Sequence, residues 1–291
     1  MSNLVYLNGD WLDAKDAKVS VFDRGFLFGD AVYEVIVVYN RQPFRLEQHL
    51  SRLDSSLAEV GIQNPYGRHE WINLIQQVIA KSPSEHQSIY IQVSRGEESG
   101  RFYHYIEDLV PTVFIYSKAI QLIQEPSDIK AIDAILLEDI RWQRGDIKST
   151  SLLATVLLKK RVSQAKVDEG ILFQSHKGDL IVTEGTSSNV FAVLNGVVYT
   201  PALSEGLLPG VTRGFVIELA KILGIEVRET CLTLKQLNAA DEIWCSSSTA
   251  ELRPLKALDG KRLPGNSEET LWFRVNGAYQ KSKHKLFIGN A

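Results

Sequence analysis

Apolar positions recur along this chain at two spacings, and these separate helices from strands. Leu46, Leu50, Leu53, Leu57 and Val60 fall three or four residues apart, the stripe of a helix from Leu46 to Val60 that Gly61 stops. Trp71, Leu74, Ile75, Val78 and Ile79 mark a second helix, ended by Lys81-Ser82-Pro83. Ile89, Ile91 and Val93 alternate instead, so Ser88–Arg95 reads as a strand. Further strands are expected at Leu4–Leu7, Lys18–Phe22, Ala31–Tyr39 and Pro111–Ser117, with Asn8-Gly9 as a hairpin signal and Gly25 and Gly29 permitting a turn before Ala31. Ala119–Lys130 lacks periodicity and carries Pro126, as a linker does. Beyond it, strands are expected at Ala131–Leu137, Gly170–Phe173, Leu180–Val182, Asn189–Val193, Val197–Tyr199, Ile225–Arg228 and Glu242–Cys245. Helices are expected at Ser151–Lys166, with Leu152, Leu153, Val156, Leu157 and Val162 as apolar markers, and at Thr212–Leu223, Leu232–Leu237 and Glu268–Lys281. The 119–130 segment is the candidate linker of a chain long enough for two domains.

Composition narrows the class without choosing a function. The 291 residues are 44% hydrophobic and 23% charged, an ordinary globular balance. A net charge of -3 offers no basic field for nucleic acid. Two cysteines, Cys231 and Cys245, make neither a disulfide framework nor a metal spacing, so a cytoplasmic setting is expected. The N-terminus does not read as a signal peptide, and no apolar run has the length of a membrane span.

The candidate chemistry is scattered. Lys148 stands in D-I-R-W-Q-R-G-D-I-K-S-T-S-L-L, where a strand gives way to a helix. Glu184 follows a strand in T-E-G-T-S-S-N. Gly206–Gly214 feeds a helix start with Thr212 on it, and Ser246–Thr249 puts hydroxyls at a strand end; both suit a phosphate. The loop from Arg95 to Tyr105 is basic and aromatic, with Arg101 and His104 as anion donors. Taken singly, each has a plainer reading: Lys148 as a loop lysine, Arg52 as a solvated helix residue, Tyr33 as a strand-face tyrosine, the 95–105 loop as an exposed turn. Taken together they are the inventory of a pyridoxal phosphate site, which needs an amine for a Schiff base, a carboxylate for the ring nitrogen, and donors with a cation for the phosphate.

Six stretches carry a family resemblance in order: D-R-G-F-L-F-G-D-A-V-Y-E-V, E-Q-H-L-S-R-L, E-D-I-R-W-Q-R-G-D-I-K-S, V-T-E-G-T-S-S-N-V-F, L-P-G-V-T-R and S-S-S-T-A-E-L, spanning residues 23 to 252. The chain resembles the fold-type IV pyridoxal phosphate enzymes, most nearly the bacterial D-amino-acid (D-alanine) aminotransferases. The resemblance implies an α+β chain of two domains, a small α/β N-terminal domain over 1–118 and a larger pseudo-barrel C-terminal domain over 131–291 that binds the cofactor. It implies that Lys148 forms the Schiff base with pyridoxal 5′-phosphate and moves the substrate proton, and that Glu184 pairs with the pyridinium nitrogen. Arg52, Val211, Thr212, Ser247 and Ser248 are then phosphate residues, Leu208 packs on the ring, and Tyr33 lies beside the cofactor near the substrate. The substrate carboxylate falls to Tyr33, Arg101 and His104. Here the match loosens: the family's R-x-H spacing becomes R-F-Y-H, so Tyr103 competes with His104. The implied reaction moves an amino group from a D-amino acid to a 2-oxo acid in a ping-pong cycle, in a homodimer. Branched-chain aminotransfer, 4-amino-4-deoxychorismate lyase chemistry and a non-catalytic cofactor-binding protein are the alternatives.

Overall fold

The computed structural model describes residues 4–104, 108–203 and 206–288. The chain forms two units, Met1–Leu122 with Ile147–Leu152, and Ile123–Asp146 with Leu153–Ala291. The first boundary falls inside the expected linker, where Pro126–Asp128 makes a single 3-10 turn. Residues 147–152 belong with the first unit, whereas a division at 131 assigns them to the second.

In the first unit, β1 (Leu4–Leu7) and β2 (Asp10–Asp13) precede α1 (Arg24–Phe28), β3 (Ala31–Tyr39) and β4 (Gln42–Pro43). Then come α2 (Leu46–Glu59), α3 (Arg68–Lys81), β5 (Gln87–Ser94) and β6 (Thr112–Ala119). The strands make one antiparallel sheet in the order β2-β1-β6-β5-β3-β4. The strand expected at Lys18–Phe22 does not form. Asn8 and Gly9 both take positive φ, 50° and 107°, so a two-residue turn pairs Leu7 with Asp10 at once and β2 starts there. The turn expected around Gly25 and Gly29 contains a helix, α1, capped by the Asp23 carboxylate on the Gly25 N–H and closed by Gly29 at φ 68°. Period-two burial puts Val32, Ile36, Val38, Ile89, Ile91, Val93, Val113 and Ile115 on one face, packed against Leu50, Leu53 and Leu57 of α2 and Trp71, Ile75 and Val78 of α3. Ile147 joins this core, which ties its neighbour Lys148 to the unit.

The second unit holds β7 (Ile132–Glu138), α4 (Leu153–Gln164), β8 (Glu169–His176), β9 (Asp179–Gly185), β10 (Asn189–Leu194), β11 (Val197–Thr200) and α5 (Val211–Ile222). It continues with β12 (Val227–Glu229), α6 (Leu234–Asn238), β13 (Glu242–Ser247), β14 (Glu251–Leu258), β15 (Lys261–Arg262) and α7 (Leu271–Ile288). The strands run β12-β11-β10-β13-β14-β7-β8-β9, with β15 on β14. In a flat sheet β9 and β10 would lie about 24 Å apart at the usual strand spacing. Only residues 186–188 join them, a span of about 14 Å at most. The sheet therefore curls until β9 meets β10, the half-barrel that the resemblance implies. Val182, Val190, Ala192, Ile243, Cys245 and Leu255 fill it. Asp259-Gly260, a hairpin signal in the sequence, turns β14 into β15, while Pro254 interrupts the apolar pattern of β14 ahead of it; β14 pairs antiparallel to β13 and, past a register shift, parallel to β7. α4 begins at Leu153, and of its expected markers only Val162 is buried; Leu152, Leu153, Val156 and Leu157 face solvent.

Candidate active site

Lys148 lies in an extended segment laid along β3. The Tyr33 N–H donates to the Lys148 carbonyl at 2.9 Å, and the Thr150 N–H donates to the Ala31 carbonyl at 2.9 Å. The Lys148 N–H reaches Ser56 Oγ on α2 at 3.3 Å. Backbone pairing on both sides thus fixes a half-buried side chain, whose Nζ stands 4.4 Å from the centre of the Tyr33 ring. That ring face attracts the ammonium by about 1 kcal/mol. Tyr33 in turn stacks on Tyr90, at 5.7 Å between centroids. The structure therefore brings together two of the expected residues, Lys148 and Tyr33.

Arg52 is buried on α2 and donates Nε and Nη2 to the two oxygens of Glu34, at 2.7 and 2.9 Å. His49 Nδ1 meets the same carboxylate at 2.8 Å. Burial pushes the Glu34 carboxyl up, yet Arg52 and His49 outweigh it and hold Glu34 far below the usual carboxylate range. Sequence reading passed over Glu34 and His49. The signal was present: Val32, Glu34, Ile36 and Val38 share one face of β3, so a carboxylate stands in an apolar row.

Around Glu184, at the end of β9, a second set assembles. Arg141 Nη1 donates to Glu184 Oε1 at 2.5 Å and Asn189 Nδ2 to Oε2 at 3.1 Å. Arg141 is itself gripped by Asp139, with Nε and Nη2 at 3.0 and 2.7 Å, and Thr183 Oγ1 donates to that aspartate. Burial pushes the Glu184 carboxyl up, and the Arg141 charge opposes it. Asn189 also donates to the Leu208 carbonyl at 3.0 Å, which links Leu208 to Glu184. Arg141 and Asn189 both fell within the matched stretches but received no role from sequence.

Val211 and Thr212 open α5, whose N-cap is Gly210, so no side chain caps its first turn. A Cβ on Gly210 would collide with Asn189 Oδ1, which closes the position to other residues. α5 packs on β13, where Ser246 Oγ is buried without a hydrogen-bond partner and Ser247 and Ser248 are half-buried. An uncapped helix start, an orphaned hydroxyl and two more serines form a donor set suited to a phosphate ester, and the braced Glu184 carboxylate suits a protonated ring nitrogen. The residues present fit pyridoxal 5′-phosphate.

The loop after β5 departs from expectation. Arg101 is exposed, stacked on Phe28 at 5.4 Å and on Tyr103 at 4.9 Å. His104 turns instead toward Glu98, 3.7 Å from Oε1. Tyr103, not His104, accompanies Arg101. Tyr105, the end of this loop, lies outside the described residues.

The curled half-barrel of the second unit, with Glu184 at the end of β9, is the scaffold of the fold-type IV pyridoxal phosphate enzymes. The branched-chain amino acid aminotransferase of Escherichia coli superposes with a TM-score of 0.85 at 26% identity, covering 96% of this chain and 94% of that one. The amino-transferase class IV family matches residues 31–258, and the chain belongs to that family. Its members use pyridoxal 5′-phosphate, so the protein is a pyridoxal phosphate-dependent aminotransferase. Among its relatives are the D-alanine aminotransferase of Bacillus licheniformis, 35% identical over 96% of both chains, and that of Listeria monocytogenes, 37% identical over 88% of both.

Proposed function

We propose that the protein transfers the amino group of a D-amino acid, D-alanine foremost, to a 2-oxo acid such as 2-oxoglutarate. The observation that carries this reading is the 35% identity to a D-alanine aminotransferase along 96% of the chain. When bound, pyridoxal 5′-phosphate supplies an aldehyde that condenses with amines and a protonated ring that takes up the electron pair left at the substrate Cα. Lys148 is the covalent anchor for that aldehyde. The same amine, when free, would take up and return the proton of the substrate Cα. Glu184, whose carboxyl burial raises and Arg141 opposes, holds the proton on the ring nitrogen. The N–H groups of Val211 and Thr212, the hydroxyls of Ser247 and Ser248, and the Arg52 guanidinium hold the phosphate, and Leu208 covers a ring face. Arg101 grips the substrate carboxylate, for which its fork geometry suits it, with Tyr33 and either Tyr103 or His104 beside it.

A homodimer accords with the solvent-facing Leu153, Val156 and Leu157 of α4, 73%, 60% and 47% exposed, an apolar row without a partner in one chain. Among the described residues no helix is long and apolar enough to cross a membrane; cytoplasmic location is part of the proposal. The likeness to branched-chain aminotransferases supports a second reading, action on L-leucine and its kin, at lower identity. Steady-state turnover of D-alanine and of L-leucine, each with 2-oxoglutarate, separates the two. Turnover of D-alanine is expected; turnover of L-leucine alone refutes it.

A further inference from the structure

The reaction leaves one buried charge pair unused. Along α7, Trp272, Asn276, Gln280 and Lys283 form a stripe spaced by four, four and three residues, each at most 3% exposed. Every polar tip on it reaches the same two residues at the start of β14. Trp272 Nε1 and Asn276 Nδ2 donate to the Leu252 carbonyl at 3.0 and 3.1 Å. Gln280 Nε2 donates to Glu251 Oε2 at 2.8 Å, and Lys283 Nζ donates to Glu251 Oε1 at 2.6 Å and to the Ile123 carbonyl at 2.7 Å.

Glu251 sits in an unusual place. Its φ is 57°, a left-handed backbone that favours glycine and that costs a side chain about 1 kcal/mol. It closes the hairpin between β13 and β14, paired directly with Ser247, and the Ala250 N–H meets Ser247 Oγ across the turn at 3.3 Å. A glycine would suit the backbone better; the carboxylate is what a glycine lacks. A buried ion pair adds little net stability over apolar residues of the same shape, so a role in stability alone accounts poorly for a fully buried lysine here. Its effect is positional: the far end of α7 holds the residue that closes the serine turn.

We propose that Lys283 and Glu251 are positioning residues for the cofactor phosphate, bracing the Ser247–Ser248 turn from α7. The proposal rests on the reading that those serines hold the phosphate. Bracing orders donors before the anion arrives, so its loss weakens recognition of the phosphate and leaves recognition of the ring untouched.

The test uses apoenzyme and measures dissociation constants for pyridoxal 5′-phosphate and for pyridoxal, which lacks the phosphate, by quenching of tryptophan fluorescence. Lys283→Met removes the brace. Glu251→Gly combined with Lys283→Met removes it without a stranded charge and relieves the strained backbone, so this variant folds even where the single one does not. Both are expected to bind pyridoxal 5′-phosphate about tenfold more weakly, with pyridoxal affinity within about twofold of wild type. Unchanged affinity for the phosphate ester in the folded double variant overturns the proposal, as does an equal loss for both compounds. Ser247→Ala/Ser248→Ala separates the two claims: unchanged affinity there refutes the phosphate assignment itself, whereas a loss there with none in the α7 variants refutes only the brace.

Discussion

Arg141 joins two buried carboxylates, and removing it tests the electrostatic design around Glu184. In Arg141→Met the side chain keeps most of its volume and loses its charge. Glu184 and Asp139, 7% and 9% exposed, then face each other without a cation. Removing one partner of a buried pair costs about 3–5 kcal/mol. Here the lower end applies, about 3 kcal/mol, because other donors remain. Asp139 keeps Thr183 Oγ1 at 2.7 Å and the Arg141 N–H at 3.0 Å, and Glu184 keeps Asn189 at 3.1 Å. The cost depends on pH, and its sign follows from Glu184. Burial already raises this carboxyl, and the Arg141 charge opposes the rise. Without Arg141 it rises further, so the folded variant holds its proton more tightly than the unfolded chain. A group raised on folding contributes stability that is full below its unfolded pKa and is lost as pH climbs through the folded one. The variant is therefore closest to wild type in acid and falls away in base. Urea unfolding of apoenzyme at about pH 5.5 and about pH 8.5 measures this, at roughly 1.4 kcal/mol for each tenfold change in the carboxylate's proton affinity. An equal deficit at both pH values, or a pH dependence that persists in a Glu184→Gln background, refutes the reasoning.

Four further outcomes are expected. Lys148→Ala abolishes transamination and the visible absorbance that develops when cofactor is added to wild type; retained turnover contradicts the role of Lys148. Glu184→Ala keeps that absorbance yet loses most transamination, since nothing holds the ring nitrogen protonated, and full turnover would refute its assignment. Gly210→Ala drives a Cβ into Asn189 Oδ1, so cofactor affinity and thermal stability both drop, as fluorescence titration and a melting curve report. Burial holds the His49 imidazole below its ordinary value of 6.5, although Glu34 opposes this, so its contribution to stability is present above 6.5 and is lost as pH falls through the folded value. His49→Asn flattens the acid limb of a stability–pH curve, and an unchanged limb contradicts the account.

Where a local pattern determines a local structure, sequence sufficed. The α2 stripe, the period-two strands of the first sheet and the Asn8–Gly9 turn all formed. The Lys18–Phe22 strand failed because a two-residue turn commits the chain to its nearest partner, a choice that apolar content does not report. Of β14 only the Asp259-Gly260 hairpin end is legible in sequence, because Pro254 has no N–H to donate and reads as a breaker. The apolar residues before and within α4 mark a helix but not which face is covered: Val162 is buried, whereas Leu152, Leu153, Val156 and Leu157 face solvent. Division of the chain at its linker missed the return of residues 147–152 to the first unit, because that return is made by two backbone hydrogen bonds with β3, which form the Val32–Ser149 bridge, and one apolar anchor, Ile147. Around the candidate chemical residues, motifs singled out Lys148, Arg52 and Glu184. They did not identify Glu34, Arg141 or Asn189, whose importance is a matter of which side chain each one touches.

The same distinction holds for the Arg101 loop. The run D-R-G-F-L-F-G-D reads from sequence as a turn, but its side chains form the dock of the Arg101 loop. Arg24, 6% exposed, donates to Asp30 at 2.9 Å, to Glu98 at 2.6 Å and to the Phe102 carbonyl at 2.8 Å. Arg95 grips Asp30 as well, and the Glu98 N–H donates to the Phe22 carbonyl. Phe28, from the same run, supplies the face on which Arg101 stacks. Burying Glu98 requires a cation in reach, and Arg24 is that cation, so the pair fixes both ends of the E-S-G-R-F segment. The altered R-F-Y-H spacing follows: with Phe102 held by its carbonyl, the next side chain, Tyr103, lands on Arg101, and His104 is carried round to Glu98. The departure from the family pattern is thus not a loose loop around a lone arginine. It is an internally braced loop in which Arg101 stacks on Phe28 and on Tyr103.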